Sequence, residues 1–113
     1  HNHTRFLVLA REAVTPPYDP EQRYITSMVF QVQNNPAALY KALGGFATNG
    51  VNLAKLESYQ DEQFKAARFY SEVEGHPDAP AMQEALKMMQ HDTVMLRLLG
   101  TYPAHEFRNK TKE

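Results

Sequence analysis

Hydrophobic and polar positions alternate along two stretches of the chain, which predicts two β-strands. From Ile25 to Gln33, Met28, Phe30 and Val32 fall on one side and mostly polar residues on the other. From Phe64 to Glu74, Phe69, Ser71 and Val73 alternate with polar or charged residues. Two further strands are predicted from Val51 to Tyr59 and, as a mainly apolar run, from Thr93 to Leu99. The second and third strands should form a hairpin, because only a polar turn at Asp61-Glu62-Gln63 separates them.

Two stretches repeat their apolar residues with helical spacing. The first begins at Pro36 and ends at Asn49-Gly50, where a left-handed stop is expected. The second follows the loop Gly75 to Pro80, with Asp78 as its predicted cap. The apolar stripes are Leu39, Ala42, Leu43 and Phe46 in the first, and Met82, Ala85, Leu86 and Met89 in the second. The order is strand, helix, strand, strand, helix, strand, which predicts an α+β, ferredoxin-like βαββαβ fold with both helices on one face of a four-stranded antiparallel sheet.

The start of the first helix carries the most specific candidate chemistry. Asn34 and Asn35 can accept hydrogen bonds from helical N–H groups, and Pro36 suits the first helical position. The N–H groups that follow, near Ala38 and Leu39, would then face an anion or an amino-acid carboxylate. A plain packing helix with an ordinary cap would show the same pattern, so both interpretations stay open on the pattern alone.

Composition excludes several classes of function. The chain has 113 residues and is 42% hydrophobic, which suits one compact domain. Twelve basic and thirteen acidic residues give a net charge of −1, with no basic block for nucleic acid or an anionic membrane. The longest early apolar run, Phe6 to Ala10, is too short for a signal peptide or a membrane span. We therefore expect a soluble, cytoplasmic protein.

Candidate residues for metal or thiol chemistry are few. There is no cysteine, and none of the five histidines has a carboxylate at metal-ligand spacing on a helix, so we expect neither a metal nor a cofactor. His76 lies in a loop rich in glycine and proline and is predicted to be solvated. Gly44-Gly45 lies inside the first helix, where it is expected to let another helix approach closely.

The chain divides into a compact unit with two tails. Glu12 to Arg23 carries Pro16, Pro17 and Pro20 among charged residues and is interpreted as a linker. We expect residues 1–23 to be the tail of another domain plus this linker, 24–103 to be the domain, and 104–113 to be a C-terminal tail.

Four separated segments resemble one known family. The run Asn34-x-Pro-Ala-Ala-Leu, followed by Gly-Val-Asn-Leu and then Glu57-Ser58, resembles the ligand-binding signature of the ACT domain at the C-terminal end of prephenate dehydratases. The family usually has glycine where Ala37 stands, and Arg-Pro where Tyr59-Gln60 stands. The segment Asn2 to Leu9 resembles the Thr-Arg-Phe segment that closes the dehydratase catalytic domain. Leu99 to Pro103 resembles the strand end that closes the ACT domain.

The resemblance implies a regulatory domain that binds L-phenylalanine at a dimer interface and mediates allosteric feedback inhibition. It places Asn52 and Leu53 of one subunit against the first-helix loop of its neighbour. The full set of ligand-binding residues that it implies is Asn34, Ala37, Ala38, Leu39, Asn52, Leu53, Glu57 and Ser58. The alternative from another class is an assembly module whose sheet edges pair without any ligand.

The resemblance also concerns catalysis. It implies that Thr4 and Arg5 line the active site of the parent enzyme, with the Thr4 hydroxyl as candidate proton donor for loss of the prephenate hydroxyl. The enzyme converts prephenate into phenylpyruvate, water and carbon dioxide. A dehydratase catalytic domain would need far more chain upstream of His1, so Thr4 and Arg5 are interpreted as remnants. We expect no catalysis from this chain alone, and an upstream catalytic domain in the same polypeptide as its partner.

Overall fold

The computed structural model describes residues 15–33, 37–59 and 66–105. Its elements are β1 (Tyr24–Gln33), α1 (Ala38–Thr48), β2 (Asn52–Tyr59), β3 (Ala66–Glu74), α2 (Pro80–His91) and β4 (Met95–Pro103). The strands form one sheet in the order β2-β3-β1-β4, and every neighbouring pair is antiparallel. The predicted ferredoxin-like βαββαβ fold is therefore confirmed.

The core lies between one face of the sheet and the two helices. The alternation in β1 is confirmed, because Met28, Phe30 and Val32 are all buried against the helices. The Phe30 ring stacks on that of Phe69 in β3, with the centroids 5.3 Å apart. Such aromatic contacts add to the stabilisation that burial of apolar area already provides.

Both helical stripes face this core as predicted. Ala42 and Phe46 of α1 are buried, as are Met82, Ala85 and Met89 of α2. Of the two glycines in α1, only Gly45 lets the other helix approach closely. A Cβ there would lie 2.9 Å from the carbonyl oxygen of Ala85, whereas a Cβ at Gly44 would meet nothing within 4 Å.

The helix ends agree only partly with the sequence. The stop of α1 is confirmed at Gly50, whose φ is +69°, and the Gly50 and Val51 N–H groups donate to the carbonyls of Ala47 and Phe46. At the start, the described helix begins at Ala38 with Ala37 as its N-cap. Asn34, Asn35 and Pro36 themselves lie outside the described residues.

The predicted cap of α2 is wrong. Ala79, in extended conformation, is the N-cap, and no side chain caps the helix at this position. Asp78 instead donates its backbone N–H to Nδ1 of His76, 3.0 Å away. His76 is bonded to the cap residue as well, since its carbonyl accepts the Ala79 N–H at 2.9 Å.

Strand β4 begins two residues later and ends four residues later than the pattern predicted. The register between β1 and β4 shifts between Ser27 and Met28, so the ladder continues past Gly100. Beyond the shift, Thr101 is buried and its Oγ1 lies 2.9 Å from that of Thr26. Polar pairing at this bulge extends the strand where hydrophobicity alone predicts an end.

The prediction that His76 is a solvated loop residue is also wrong. Only 1% of its surface is exposed, and its ring lies 4.7 Å from that of Tyr24 and 5.1 Å from that of Tyr18, centroid to centroid. The described part of the interpreted linker, residues 15–23, has no helix or strand, as predicted, but it packs on the domain at this histidine. Within the described ranges, neither helix is long and apolar enough to cross a membrane.

Candidate functional site

The first turn of α1 presents backbone donors. The first hydrogen bond of the helix runs from the Lys41 N–H to the Ala37 carbonyl at 3.0 Å. The N–H groups of Ala38 and Leu39 precede this bond, where a helix has no carbonyl of its own to offer them. Ala37 is exposed, Ala38 is buried and Leu39 is half-buried against the core. This turn can therefore offer donors to a carboxylate and an apolar side chain beside them.

The other predicted site residues lie on β2, an edge strand. Asn52, Glu57 and Ser58 are exposed, and Leu53 is half-buried against the core. Glu57 forms an exposed ion pair with Lys55, with Nζ and Oε2 3.5 Å apart. Since β3 covers only one side of β2, the outer edge of this strand is available for pairing.

The register of the sheet places these residues at two opposite ends. Asn52 pairs with Glu74, which in turn pairs with Ile25 at the start of β1. Tyr59 pairs with Arg68, which pairs with Gln31 near the end of β1. We call the first the anchored end (Tyr24–Thr26, Asn52–Leu53 and Glu74–His76) and the second the helix-start end (Gln33, Ala37–Leu39 and Glu57–Tyr59).

The distance between the two ends decides whether one subunit can bring all the predicted site residues together. Seven steps along β2, at about 3.3 Å per residue, separate Asn52 from Tyr59 by roughly 23 Å. Helix α1 has 11 residues and runs back from the helix-start end to the anchored end, opposite to the direction of β2. The structure thus brings Ala37–Leu39 to the same end as Glu57 and Ser58. It does not bring Asn52 and Leu53 to them within a single subunit.

A cavity of about 230 Å³ opens at the helix-start end, on the side of β4. Of the predicted site residues in the described ranges, only Ala38 lines it. The complete lining is Gln33, Ala38, Lys41, His91, Asp92, Thr93 and Val94. Gln33 comes from the end of β1 and Lys41 from α1, whereas the remaining four, residues 91–94, come from the end of α2 and the loop after it. No sequence signal marked any of these residues. The cavity therefore does not coincide with the predicted site.

The sheet face opposite the helices carries a polar network in its centre. The Tyr70 hydroxyl donates to Oε2 of Glu72 at 2.6 Å. Burial and this hydrogen bond to the carboxylate raise the pKa of Tyr70 well above its ordinary value. Ser27 of β1 acts on the pKa of Tyr70 in the lowering direction, but burial and Glu72 outweigh it. This face is thus stabilised by paired polar groups.

Several predicted residues cannot be placed. Asn34, Thr4 and Arg5 lie outside the described residues. In the part of the chain that the structure describes, no three histidine, aspartate or glutamate side chains converge as metal ligands would. Of the predicted site, the described part that a ligand can reach consists of the backbone donors of α1 and the side chains along β2.

Comparison with known proteins gives one consistent result. A bifunctional N-acyl-homoserine lactone acylase/prephenate dehydratase of Komagataeibacter europaeus is 47% identical over 111 residues, which are 97% of this chain and 39% of that protein. A bifunctional chorismate mutase/prephenate dehydratase of Aquifex aeolicus is 39% identical over 104 residues, or 90% of this chain and 27% of that protein. No protein-family model matches the sequence.

Solved structures agree with these relatives. A structure described as GqqA, a novel type of quorum quenching acylase, matches 88% of this chain and 35% of its own, at 46% identity and a TM-score of 0.76. A prephenate dehydratase from Arthrobacter aurescens, solved in complex with L-Phe, matches 80% of this chain and 30% of its own, at 27% identity and a TM-score of 0.70. The chain thus spans well under half the length of these proteins, and the matched part is their C-terminal region.

Proposed function

We propose that this chain, which is an ACT regulatory domain of the prephenate dehydratase type, binds L-phenylalanine between two subunits and mediates feedback inhibition of an attached dehydratase. The observation that carries the proposal is the likeness to the Arthrobacter aurescens enzyme, whose structure holds L-Phe. The upstream catalytic domain and its activity are part of the proposal. Binding would shift the dimer toward a state in which the attached catalytic domains are closed.

The geometry supports a site shared by two subunits. Asn52 and Leu53 lie at the anchored end and the first turn of α1 lies at the helix-start end, so one subunit supplies only half of the residues at either place. A second chain related by a two-fold axis can supply the other half, because such an axis reverses the direction of the strand.

Pairing through the free edge of β2 would satisfy this requirement. In a symmetric antiparallel pair centred between Lys55 and Leu56, Asn52 of one subunit lies opposite Tyr59 of the partner subunit. That places Asn52 and Leu53 at the partner's helix-start end. Exposed Leu56 and Tyr59, at 37% and 44% of their surface, would be covered in such a dimer.

Phenylalanine fits the chemistry of this composite site. Its carboxylate can accept from the N–H groups of Ala38 and Leu39, and its ammonium can donate to the side-chain oxygen of Asn34 or to a loop carbonyl. Its ring needs an apolar slot, for which the half-buried Leu39 and Leu53 are available.

The free energies expected of these contacts are sufficient for micromolar binding. Ring burial contributes roughly 1.5–3 kcal/mol, the helix terminus roughly 0.3–1 kcal/mol, and each charge-assisted hydrogen bond roughly 1.5–3 kcal/mol. Micromolar affinity, about 8 kcal/mol, is within their combined reach.

Calorimetric titration of the chain with phenylalanine, leucine and glycine tests the proposal. We expect heat of binding for phenylalanine well above that for the other two. Asn52→Ala should weaken phenylalanine binding by roughly 1–3 kcal/mol, because the resemblance puts the ammonium or carboxylate of the ligand beside this side chain as well as beside Asn34. Gln83→Ala, at an exposed position of α2, is the matched control and should bind like the wild type. Equal or absent heats for all three amino acids would contradict the proposal and favour a ligand-independent assembly module.

A further inference from the structure

His76 holds the segment that precedes the domain. Its Nδ1 accepts the backbone N–H of Asp78 at 3.0 Å, so the proton of the neutral ring is on Nε2. Nε2 therefore donates to the carbonyl oxygen of Pro16, 2.6 Å away. Sixty residues of sequence separate these two partners, so the bond joins two parts of the chain that are far apart in sequence.

Tyr24 and Tyr18 complete this attachment. The Tyr24 hydroxyl donates to the carbonyl of Pro17 at 3.0 Å and accepts the backbone N–H of Asp19 at 2.9 Å. The Tyr18 ring packs against both Tyr24 and His76. We call His76, Tyr24 and Tyr18, with the segment Pro16–Asp19 that they hold, the His76 clamp.

The clamp is continuous with the strand end where Asn52 lies. Glu74 pairs with Asn52, and the chain runs from Glu74 through Gly75 directly into His76. The Gly75 N–H donates to the Tyr24 carbonyl at 2.9 Å, and its carbonyl accepts from Oγ1 of Thr26 at 2.6 Å.

Gly75, which joins Glu74 to His76, is closely packed against Met82. A Cβ at Gly75 would lie 2.8 Å from Sδ of Met82, which is itself buried in the core. A displacement of the Asn52 strand end must therefore either distort this packing or move the loop that carries His76.

We propose that His76 is a positioning residue that couples the anchored end of the sheet, and the ligand site at Asn52, to the segment Pro16–Asp19. The ligand part of this inference rests on the proposed function. The segment leads toward the N-terminal side of the chain, and the matched region of the relatives is C-terminal. The His76 clamp therefore lies between the ligand site and the N-terminal side of the chain, where a change caused by ligand binding would pass from the domain to the segment before it.

Two substitutions of His76 separate its two hydrogen bonds. Asn can place its side-chain oxygen where Nδ1 lies and keep the bond to Asp78, but it is too short to reach Pro16. Gln can place its amide nitrogen where Nε2 lies and keep the bond to Pro16. His76→Asn should therefore open the clamp while preserving the loop, and His76→Gln should largely retain it.

Hydrogen exchange of the full chain, followed amide by amide by NMR, provides the test. In the absence of ligand, His76→Asn should speed exchange at Asp19 and Gln22 by about tenfold or more, and that at Asn52 and Leu53 by about threefold, with Glu57 and Ser58 unchanged. His76→Gln should stay close to the wild type. Acceleration confined to residues 16–23, or an equal effect of both variants, would overturn the coupling.

Added L-phenylalanine gives a second readout on the same samples. It should slow exchange at Asp19 and Gln22 in the wild type and in His76→Gln, but not in His76→Asn. A response that persists in His76→Asn would overturn the inference. If calorimetry detects no phenylalanine binding to the wild type, the proposed function fails, and the ligand-free comparison still decides the coupling. If His76→Asn does not fold, Tyr24→Phe takes its place. Exchange at Asp19 then speeds up directly, because its N–H loses its acceptor, so the inference stands only if exchange at Asn52 and Leu53 also speeds up and the response of Gln22 to L-phenylalanine is lost.

Discussion

The two ends of the sheet differ in how firmly they are held. At the anchored end, Thr26 and His76 are buried, as is Thr101, which pairs with Thr26 from β4, and each has a hydrogen-bond partner. At the helix-start end, Gln33, Ala37 and Tyr59 are exposed, and a cavity opens beside the first turn of α1. The buried polar groups of the first end are satisfied within the chain, whereas the exposed Asn52 and the backbone donors at the start of α1 can meet a ligand or a partner.

This difference assigns separate roles to the two ends. The anchored end fixes Asn52 and the segment before β1 in one rigid unit. The helix-start end supplies backbone donors that need an occupant from outside. Because each end carries only part of the proposed ligand site, the two can act together only when a second subunit brings one against the other.

The largest expected effect is on the stability of the anchored end. Thr26→Val removes the hydroxyl that donates to the Gly75 carbonyl and pairs with Thr101, so buried polar groups lose their partner. The free energy of unfolding should fall by about 1–3 kcal/mol, as measured by urea denaturation.

A matched threonine near the helix-start end is the control for this prediction. The hydroxyl of Thr93 is 3.5 Å from the carbonyl of Gln90 in an exposed contact. Thr93→Val should change the free energy of unfolding by no more than about 0.5 kcal/mol. Equal losses for the two variants would remove the contrast between a fixed and an open end.

The next prediction concerns the two edges of the sheet. Leu56 on β2 and Leu99 on β4 are each 37% exposed, and both strands are at an edge. If subunits pair through β2, Leu56→Lys places a charge in the interface and should raise the dimer dissociation constant by about tenfold, which corresponds to about 1.4 kcal/mol. Leu99→Lys should leave it unchanged. Sedimentation velocity over a dilution series measures both, and the reverse result would move the interface to β4.

The smallest effect is expected between the two ends, at Tyr70. Its pKa in the folded state is raised, so its contribution to stability is complete below about pH 10, the ordinary tyrosine value, and declines as the pH rises above it. Tyr70→Phe should therefore lose less stability than the wild type between about pH 9 and about pH 11, as measured by urea denaturation. Tyr40→Phe, which removes a hydroxyl from a ring that is 81% exposed, is the matched control. Identical pH slopes for the two variants would contradict the role of the Tyr70–Glu72 pair.

Local patterns predicted the parts of the fold that depend on local residues. The alternation of Met28, Phe30 and Val32 and the stripes of both helices identified the buried faces, because burial of these side chains follows the period of the element. Gly50 marked the end of α1 for the same reason, since its positive φ is a local requirement.

What the sequence missed depends on distant contacts. His76 is buried by Tyr18 and Tyr24, and its partner Pro16 is sixty residues away, so no window around the histidine indicates burial. The late end of β4 depends on a register shift opposite Ser27 and Met28, which is a property of the strand pair. For the candidate site, the resemblance supplied the residues, and the sheet register supplied their division between two ends.

Mixing two variants that each lack phenylalanine binding tests the site shared by two subunits most directly. Asn34→Ala and Asn52→Ala chains are each titrated with L-phenylalanine, alone and after subunit exchange, at a concentration that saturates only the wild type. If Asn34 of one subunit and Asn52 of the other serve the same site, a mixed dimer contains one intact site and one doubly altered site. The account predicts that the mixture recovers about a quarter of the wild-type binding capacity while either variant alone shows almost none. A mixture that binds no more than its separate components would contradict a ligand site formed between two subunits.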